Sequence, residues 1–245
     1  MIKHKLNWKP DVPDQRDFLF RDHFKVSKTL PKSKSLKAKM SPVEDQGELG
    51  SCTANAFAGN LEYLYLLKKD KFQASRLFIY YNERVVIGEV HDDSGANLRD
   101  GIKTLAKYGV CSEMIVPYVI ADFTDKPSKA AYAAALARKI YKYVRITDLQ
   151  SMKQCLADGF PFVLGIPVYE SFESDAVART GVVPMPKKSE QMLGGHAVCC
   201  VGYDDASKRF LVRNSWGAGW GQKGYFTIPY DYVTKMGDDM WTIRA

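Results

Sequence analysis

The chain reads as an α+β protein on three observations. Helical spacing governs the first half, short β-branched and aromatic runs parted by Gly, Pro and Asp govern the second, and the two patterns do not alternate. Helices first and strands later imply two segregated lobes. With 245 residues, 46% of them hydrophobic, the chain can bury a full core as one large domain or two packed half-domains.

The elements follow in order. Residues 7–20 mix Pro10 and Pro13 with aromatics and acids, which predicts an extended strap docking by Trp8, Phe18 and Phe20. Lysines crowd residues 25–39, expected to be an exposed connector. In residues 52–69, Phe57, Leu61, Leu64 and Leu67 recur at helical spacing, and Lys68, Lys69 and Lys71 lie where the macrodipole favours cations. Residues 77–86 form a second helix, and residues 98–108 a third that stops at Gly109. Pro127-Ser128 opens an alanine-rich helix through Ala137, and Asp148 caps a short one carrying Leu149, Met152 and Leu156, stopped by Gly159. Strands are predicted over residues 162–168, 197–203, 210–213 and 225–228.

Composition narrows the function. Residues 1–40 hold 11 Lys or Arg against 4 Asp, a balance of +7, which leaves 24 of each sign in the remainder and places the whole formal charge of +7 at the front. A solvated tail or a pro-segment lying on an acidic surface fits this asymmetry. No aromatic or RNA-binding pattern interleaves with the lysines, so nucleic acid is not the expected partner. The first residues have no apolar core of a signal peptide, and no stretch is apolar enough for a membrane span, so a soluble, non-Sec-exported protein is expected. The five cysteines, Cys52, Cys111, Cys155, Cys199 and Cys200, are odd in number and lack CxxC spacing, which argues against a disulfide framework or zinc ribbon and for a reducing compartment.

Chemistry concentrates at three places. Cys52 stands where the glycine-containing loop Gln46-Gly-Glu-Leu-Gly-Ser enters the long helix, so backbone N–H groups and the dipole can stabilise a thiolate of depressed pKa. Cys155, Cys199 and Cys200 sit in apolar runs as core residues, and Cys111 follows a helix stop without a clear role. His4 and His23 belong to the basic extension, and His91 lies in a polar loop. His196 differs: Gly194 and Gly195 open its approach, and Asn214, ending the next strand, can accept its ring N–H and fix the tautomer as a triad's third member does. Gln46 offers an amide that would complete an oxyanion hole with the Cys52 backbone N–H.

In this order the residues resemble the papain family of cysteine peptidases. The resemblance runs from about Leu30 to Ile243. It is carried by Ser41-Pro-Val-Glu-Asp-Gln46, Gly50-Ser-Cys52, Tyr108-Gly-Val with Pro117-Tyr118, His196-Ala-Val, and Asn214-Ser-Trp-Gly-Ala-Gly-Trp-Gly221 with Gly224-Tyr225. It implies a helical lobe over about residues 46–118 packed on an antiparallel β-barrel-like lobe over about 119–239, with the cleft between and residues 1–29 as a basic extension. By resemblance Cys52 is the nucleophile, His196 the acid/base, Asn214 its orienter and Gln46 the oxyanion donor, with Trp216 shielding the His/Asn hydrogen bond. Gly95 and Ala96 would pair with substrate backbone. Leu98, Gly194 and Ala197 would line the pocket for the second residue before the cut.

Departures accompany the match. Leu49 replaces the family's cysteine, Thr53 its aromatic after the nucleophile, and Gly195 its Asp or Asn before the histidine. These implied the disulfide-poor branch of bacteria and large DNA viruses, and an intracellular or virion-associated setting. The expected activity is peptide-bond hydrolysis of a protein or peptide substrate through a thioester, with no metal or organic cofactor. Acyl transfer on the same triad, or a non-catalytic binding relative, stands as the alternative. The extension would lie across the cleft as a zymogen-like restraint, its basic groups on Glu44, Asp45 and Glu48, or would act as a permanent brace of the fold.

Overall fold

A computed structural model describes residues 4–245; the first three residues of the extension lie outside it. The described chain begins with the strap, whose α1 (Phe20–His23) is a single turn, followed by β1 (Ser33–Ser35) and a 3-10 turn at Lys37–Lys39. The lysine-rich connector is thus partly ordered: β1 pairs antiparallel with Ser33 opposite Asp204, and Leu36 is buried while most of the lysine side chains stay outside, Lys37 alone among those of the turn reaching in to the Gln222 carbonyl. Lysines can flank such a strand because their stems lie along the surface with the ammonium groups in water.

The helical lobe is built on α2 (Cys52–Leu67), which is buried from Cys52 to Tyr65. A helix apolar nearly all round belongs in a core, and α2 packs between the sheet on one side and α3 (Arg76–Ile87) and α4 (Leu98–Tyr108) on the other. Ser75 and Asn97 cap these two helices by accepting from Phe78 and Asp100 N–H, and Gly88 ends α3 in the left-handed conformation. The alanine-rich helix α5 (Lys129–Ala135), capped by Ser128, breaks into a 3-10 turn at Leu136–Arg138. It packs on the helical lobe: Tyr132 Oη donates to Asn82, and Tyr132 meets Tyr108 edge-on. Contacts with the helical lobe thus continue beyond residue 118.

The second lobe holds β2 (Lys142–Arg145), α6 (Leu149–Ala157), β3 (Phe162–Tyr169), α7 (Asp175–Thr180), β4 (Met192–Asp204), β5 (Arg209–Arg213), β6 (Tyr225–Pro229), α8 (Tyr230–Met236) and β7 (Asp238–Arg244). The strands form one antiparallel sheet in the order β2-β7-β3-β4-β5-β6, with β1 also on β4. Its ends, β2 and β6, do not pair, so the sheet is open and the barrel-like description is a loose one. The last strand, β7, inserts between β2 and β3.

Candidate active site

The cleft forms where the start of α2 meets the middle of β4. Cys52 opens α2 and is fully buried. Backbone N–H groups of Ala197 on β4, Thr53 and Asn7 of the strap face its sulfur. The loop before it is held by several bonds: Gly50 N–H donates to Asp93 Oδ1 at 2.9 Å, Tyr118 Oη donates to the Gln46 carbonyl at 2.9 Å, and Ser51 Oγ meets Tyr118 Oη at 2.6 Å. Asp93 and Tyr118 were not singled out in the sequence as parts of the catalytic loop; the acidic run after His91 was the available signal for Asp93.

His196 precedes Ala197 on β4 and is fully buried. Its Nε2 lies 2.8 Å from Asn214 Oδ1. Ser215 N–H donates to that same oxygen at 2.9 Å, which identifies it as the amide's acceptor end, so the ring nitrogen must be the donor. The Nδ1 lone pair is left buried without a hydrogen-bond partner among the described residues. Trp216 stacks on the imidazole at 4.7 Å between centroids and 21° between planes, covering the His/Asn pair. The opposite chemistry at the two ring nitrogens is what a general base needs: one N–H fixed, one lone pair open.

Gln46 is fully buried. Its Oε1 accepts from Ser215 Oγ at 2.6 Å, and its Nε2 donates to the Leu49 carbonyl at 2.9 Å, with the strap's Lys5 carbonyl at 3.5 Å. The amide is therefore held chiefly within its own loop, with the strap's carbonyl at the limit of hydrogen-bond reach. Trp216 has a second neighbour that sequence reasoning left among the basic residues: His4 stacks on it at 3.8 Å and 2°, and its Nδ1 pairs with Glu173 at 3.2 Å.

The strap occupies the groove. Trp8 N–H donates to the Gly195 carbonyl and Lys9 N–H to the Ala96 carbonyl, each at 3.0 Å, so one segment bridges both lobes. Asn7 pairs with Gly195 and Trp8 with Ala96, in parallel sense. Gly95, Ala96 and Gly194 are thus brought to the groove, where a Cβ on Gly95 or Gly194 would collide with Asn7 or Leu6. Ala197 lies beside Cys52, while Leu98 is sealed beneath the first turn of α4.

Three expectations about the strap change. Phe18 is 57% exposed, so docking falls to Trp8 and Phe20, 7% and 1% exposed. Glu44 pairs with Arg76 rather than with the extension, whose Lys5 and Lys9 reach Asp93 and Glu89. The stronger anchors have the opposite sign: Asp17 pairs with Arg99 at 2.6 Å, and Asp11 accepts from Arg99 N–H and Trp241 Nε1. Acids hold this basic segment because the largely buried Arg99 and Arg145 need carboxylates, whereas its lysines pair from exposed positions.

Under this cover, burial pushes the Cys52 thiol up to about 11 and the His196 ring down to about 4, the latter against its bond to Asn214. The expected low thiol pKa is not that of the covered state, because a charged pair shut away from water loses its solvation. All five cysteines are free, and among the described residues no three His, Cys, Asp or Glu side chains gather as a metal site. No described helix is long and apolar enough to cross a membrane.

Residues 30–240 match the papain family cysteine protease profile. The chain is 42% identical to a peptidase C1-like protein of Acanthamoeba polyphaga mimivirus, the match covering 99% of this chain and 88% of that one. It superposes on xylellain, a cysteine protease from Xylella fastidiosa, with a TM-score of 0.90 and 40% identity, covering 100% of this chain and 98% of that one. Cysteine proteinase 2 of Entamoeba histolytica is 28% identical over 78% of this chain, which spans 61% of that relative. With its two lobes, its cysteine at the head of α2 and its histidine on the facing strand, the chain belongs to the papain family of cysteine proteases.

Proposed function

We propose that this protease acts through Cys52, His196 and Asn214, with Gln46 as oxyanion donor. The observation that carries the reading is the polarised imidazole: Asn214 holds Nε2–H, and Nδ1 keeps an unpaired lone pair beside the strand residue that faces the Cys52 sulfur. In the reaction the imidazole takes the thiol proton and Sγ attacks the peptide carbonyl. The oxyanion is met by Gln46 Nε2–H and backbone N–H. The imidazolium then protonates the leaving amine, and water, deprotonated by the same ring, releases the acid from the thioester. Trp216 keeps water from the His196–Asn214 bond.

The substrate is a protein or peptide laid in the groove that residues 4–9 fill, with Gly95, Ala96 and Gly195 as backbone partners. Residues 4–9 therefore act as a restraint that must leave before substrate enters. The free thiols favour a reducing setting, intracellular or virion-associated. Labelling with an epoxide that alkylates active thiols tests the assignment: Cys52 is modified first, and Cys52→Ala abolishes both labelling and peptide cleavage. Preferential modification of Cys111 or Cys155 would overturn it. Transfer of the acyl group to an added amine in excess over hydrolysis would mark the chain as an acyltransferase on the same triad.

A further inference from the structure

The peptide unit between Leu49 and Gly50 is gripped from both edges. Its carbonyl accepts from Gln46 Nε2 at 2.9 Å, and its N–H donates to the carboxylate of Asp93, 2.9 Å from Oδ1 and 3.1 Å from Oδ2. Because such a unit is rigid, turning it moves both contacts together. The Gln46 amide has two N–H groups, and the Leu49 carbonyl takes one, so the orientation of this plane decides where the other points. Asp93 is itself held: Tyr80, fully buried, donates its hydroxyl to Oδ1 at 2.5 Å and accepts from Gly95 N–H at 3.1 Å. Burial and the bond to Asp93 push that phenol far above its usual range, so it stays a donor. A Cβ on Gly50 would meet Asp93 Oδ1 at 2.8 Å, as well as Asn7 of the strap, so glycine is what lets the carboxylate come this near. With all five cysteines free, no disulfide does this fastening. The strap touches the same residue, with Lys5 Nζ 3.3 Å from Oδ2 and Asn7 Nδ2 donating to the Asp93 carbonyl at 2.9 Å, but the bonds to Gly50 and Tyr80 do not depend on it.

We infer that Asp93 is a positioning residue for catalysis: through the Leu49–Gly50 plane it sets the direction of the Gln46 amide, and through Tyr80 it ties that setting to Gly95, the backbone partner of the substrate. The inference rests on the reading of Gln46 as oxyanion donor. Stabilisation of an oxyanion depends on donors fixed before the charge develops, and a misplacement of about 1 Å is enough to cost about 100-fold in rate. Asp93 acts through one peptide unit and has no need to touch the substrate.

The test uses as parent the full chain carrying Trp8→Ala, which unseats the strap. Asp93→Ala in that parent should lower kcat for a peptide substrate about 10- to 100-fold with KM changed less than about threefold. Iodoacetamide needs no oxyanion hole and should still label Cys52 within about threefold of the parent rate. With Gln46→Ala also present, the same Asp93 change should cost less than about threefold, since the donor it positions is gone. Asp93→Asn keeps an acceptor for Gly50 and Tyr80 and should hold kcat within about fivefold of the parent. Tyr80→Phe is the second variant: it keeps the buried ring, removes the hydroxyl, and should lower kcat about threefold or more only while Gln46 is present. Lys5→Ala removes the strap's exposed ion pair alone and should leave kcat within about twofold. Losses from Asp93→Ala and Tyr80→Phe that multiply in full with the loss from Gln46→Ala, or an unchanged kcat in both, would overturn the positioning role and leave Gln46 and the nucleophile standing. A Gln46→Ala chain with unchanged kcat would overturn the oxyanion reading and this inference with it.

Discussion

At the scale of single residues, the site is set by which atom each side chain has already committed. Asn214 Oδ1 is shared by Ser215 N–H and the His196 ring, which leaves one ring nitrogen for the thiol. The covered thiol is pushed up to about 11, so in the full chain iodoacetamide labelling of Cys52 should rise steadily up to about pH 9 without a plateau. Trp8→Ala, which unseats the strap, should turn that into a flat and faster profile from about pH 5 to 8, as expected of a thiolate paired with imidazolium. A plateau in the full chain would show the ion pair to exist beneath the strap. Gln46 is also more deeply tied than its sequence position suggests. Gln46→Ala should lower kcat by about 100- to 1000-fold. It should also lower the melting temperature, since the Ser215 hydroxyl and the Leu49 carbonyl lose their partner at about 1–3 kcal/mol for each buried group left unsatisfied. An unchanged kcat would remove Gln46 from the oxyanion hole.

At the scale of elements, α2 and α3 are joined at a buried carboxyl. Thr53, the residue after the nucleophile, donates to Glu83 Oε2 at 2.7 Å, and burial pushes Glu83 up to about 8 against that bond. Below its unfolded pKa of about 4.5 the group is protonated in both states. As pH rises the unfolded chain ionises first, so this group's contribution to stability falls from about pH 4.5 to 8 and then levels. Glu83→Gln removes that titration while keeping an acceptor for Thr53. Its melting temperature should exceed that of wild type at about pH 8.5 and match it at about pH 5, by calorimetry. A Glu83→Gln chain that is less stable at both values would mean that the carboxyl is ionised and paired in the fold. The caps of α5 and α6 by Ser128 and Asp148 were read from the sequence because capping is local chemistry between residues three apart, whereas those of α3 and α4 by Ser75 and Asn97 were not picked out. By contrast, β2 and β7 escaped notice because their mixed charged and apolar residues gain strand character only by pairing with each other.

At the scale of the whole molecule, the extension divides into two parts with different duties. Residues 4–9 lie across the groove, whereas Asp11, Asp17 and Phe20 fasten the chain to Arg99, Arg145, Trp241 and the core. The choice between restraint and brace is therefore made segment by segment. Removing residues 1–9 should speed Cys52 labelling about tenfold or more with little loss of melting temperature, while removing residues 1–29 should lower it markedly, because Arg99 and Arg145 lose their buried carboxylates. A chain lacking residues 1–29 that is as stable as wild type would refute the brace. High salt should change labelling little, since the ion pairs that fasten the strap most firmly are the ones water reaches least.

Sequence by itself determined the two-lobe α+β class and the long helix after Gly50-Ser51, and it picked out Cys52, His196, Asn214 and Gln46, which the fold brings to one cleft, as the proposed chemical set. Each rests on short-range spacing or on residue types that few other roles require. The tertiary structure alone decided that the sheet stays open, that Asp11 and Asp17 rather than the lysines fasten the strap, that His4 stacks on Trp216, and that Gly165 leaves room for the ring of Trp8. These depend on groups far apart in the chain, and a side chain's partner, its burial and the space left by a missing Cβ are properties of the packed neighbours and not of the residue.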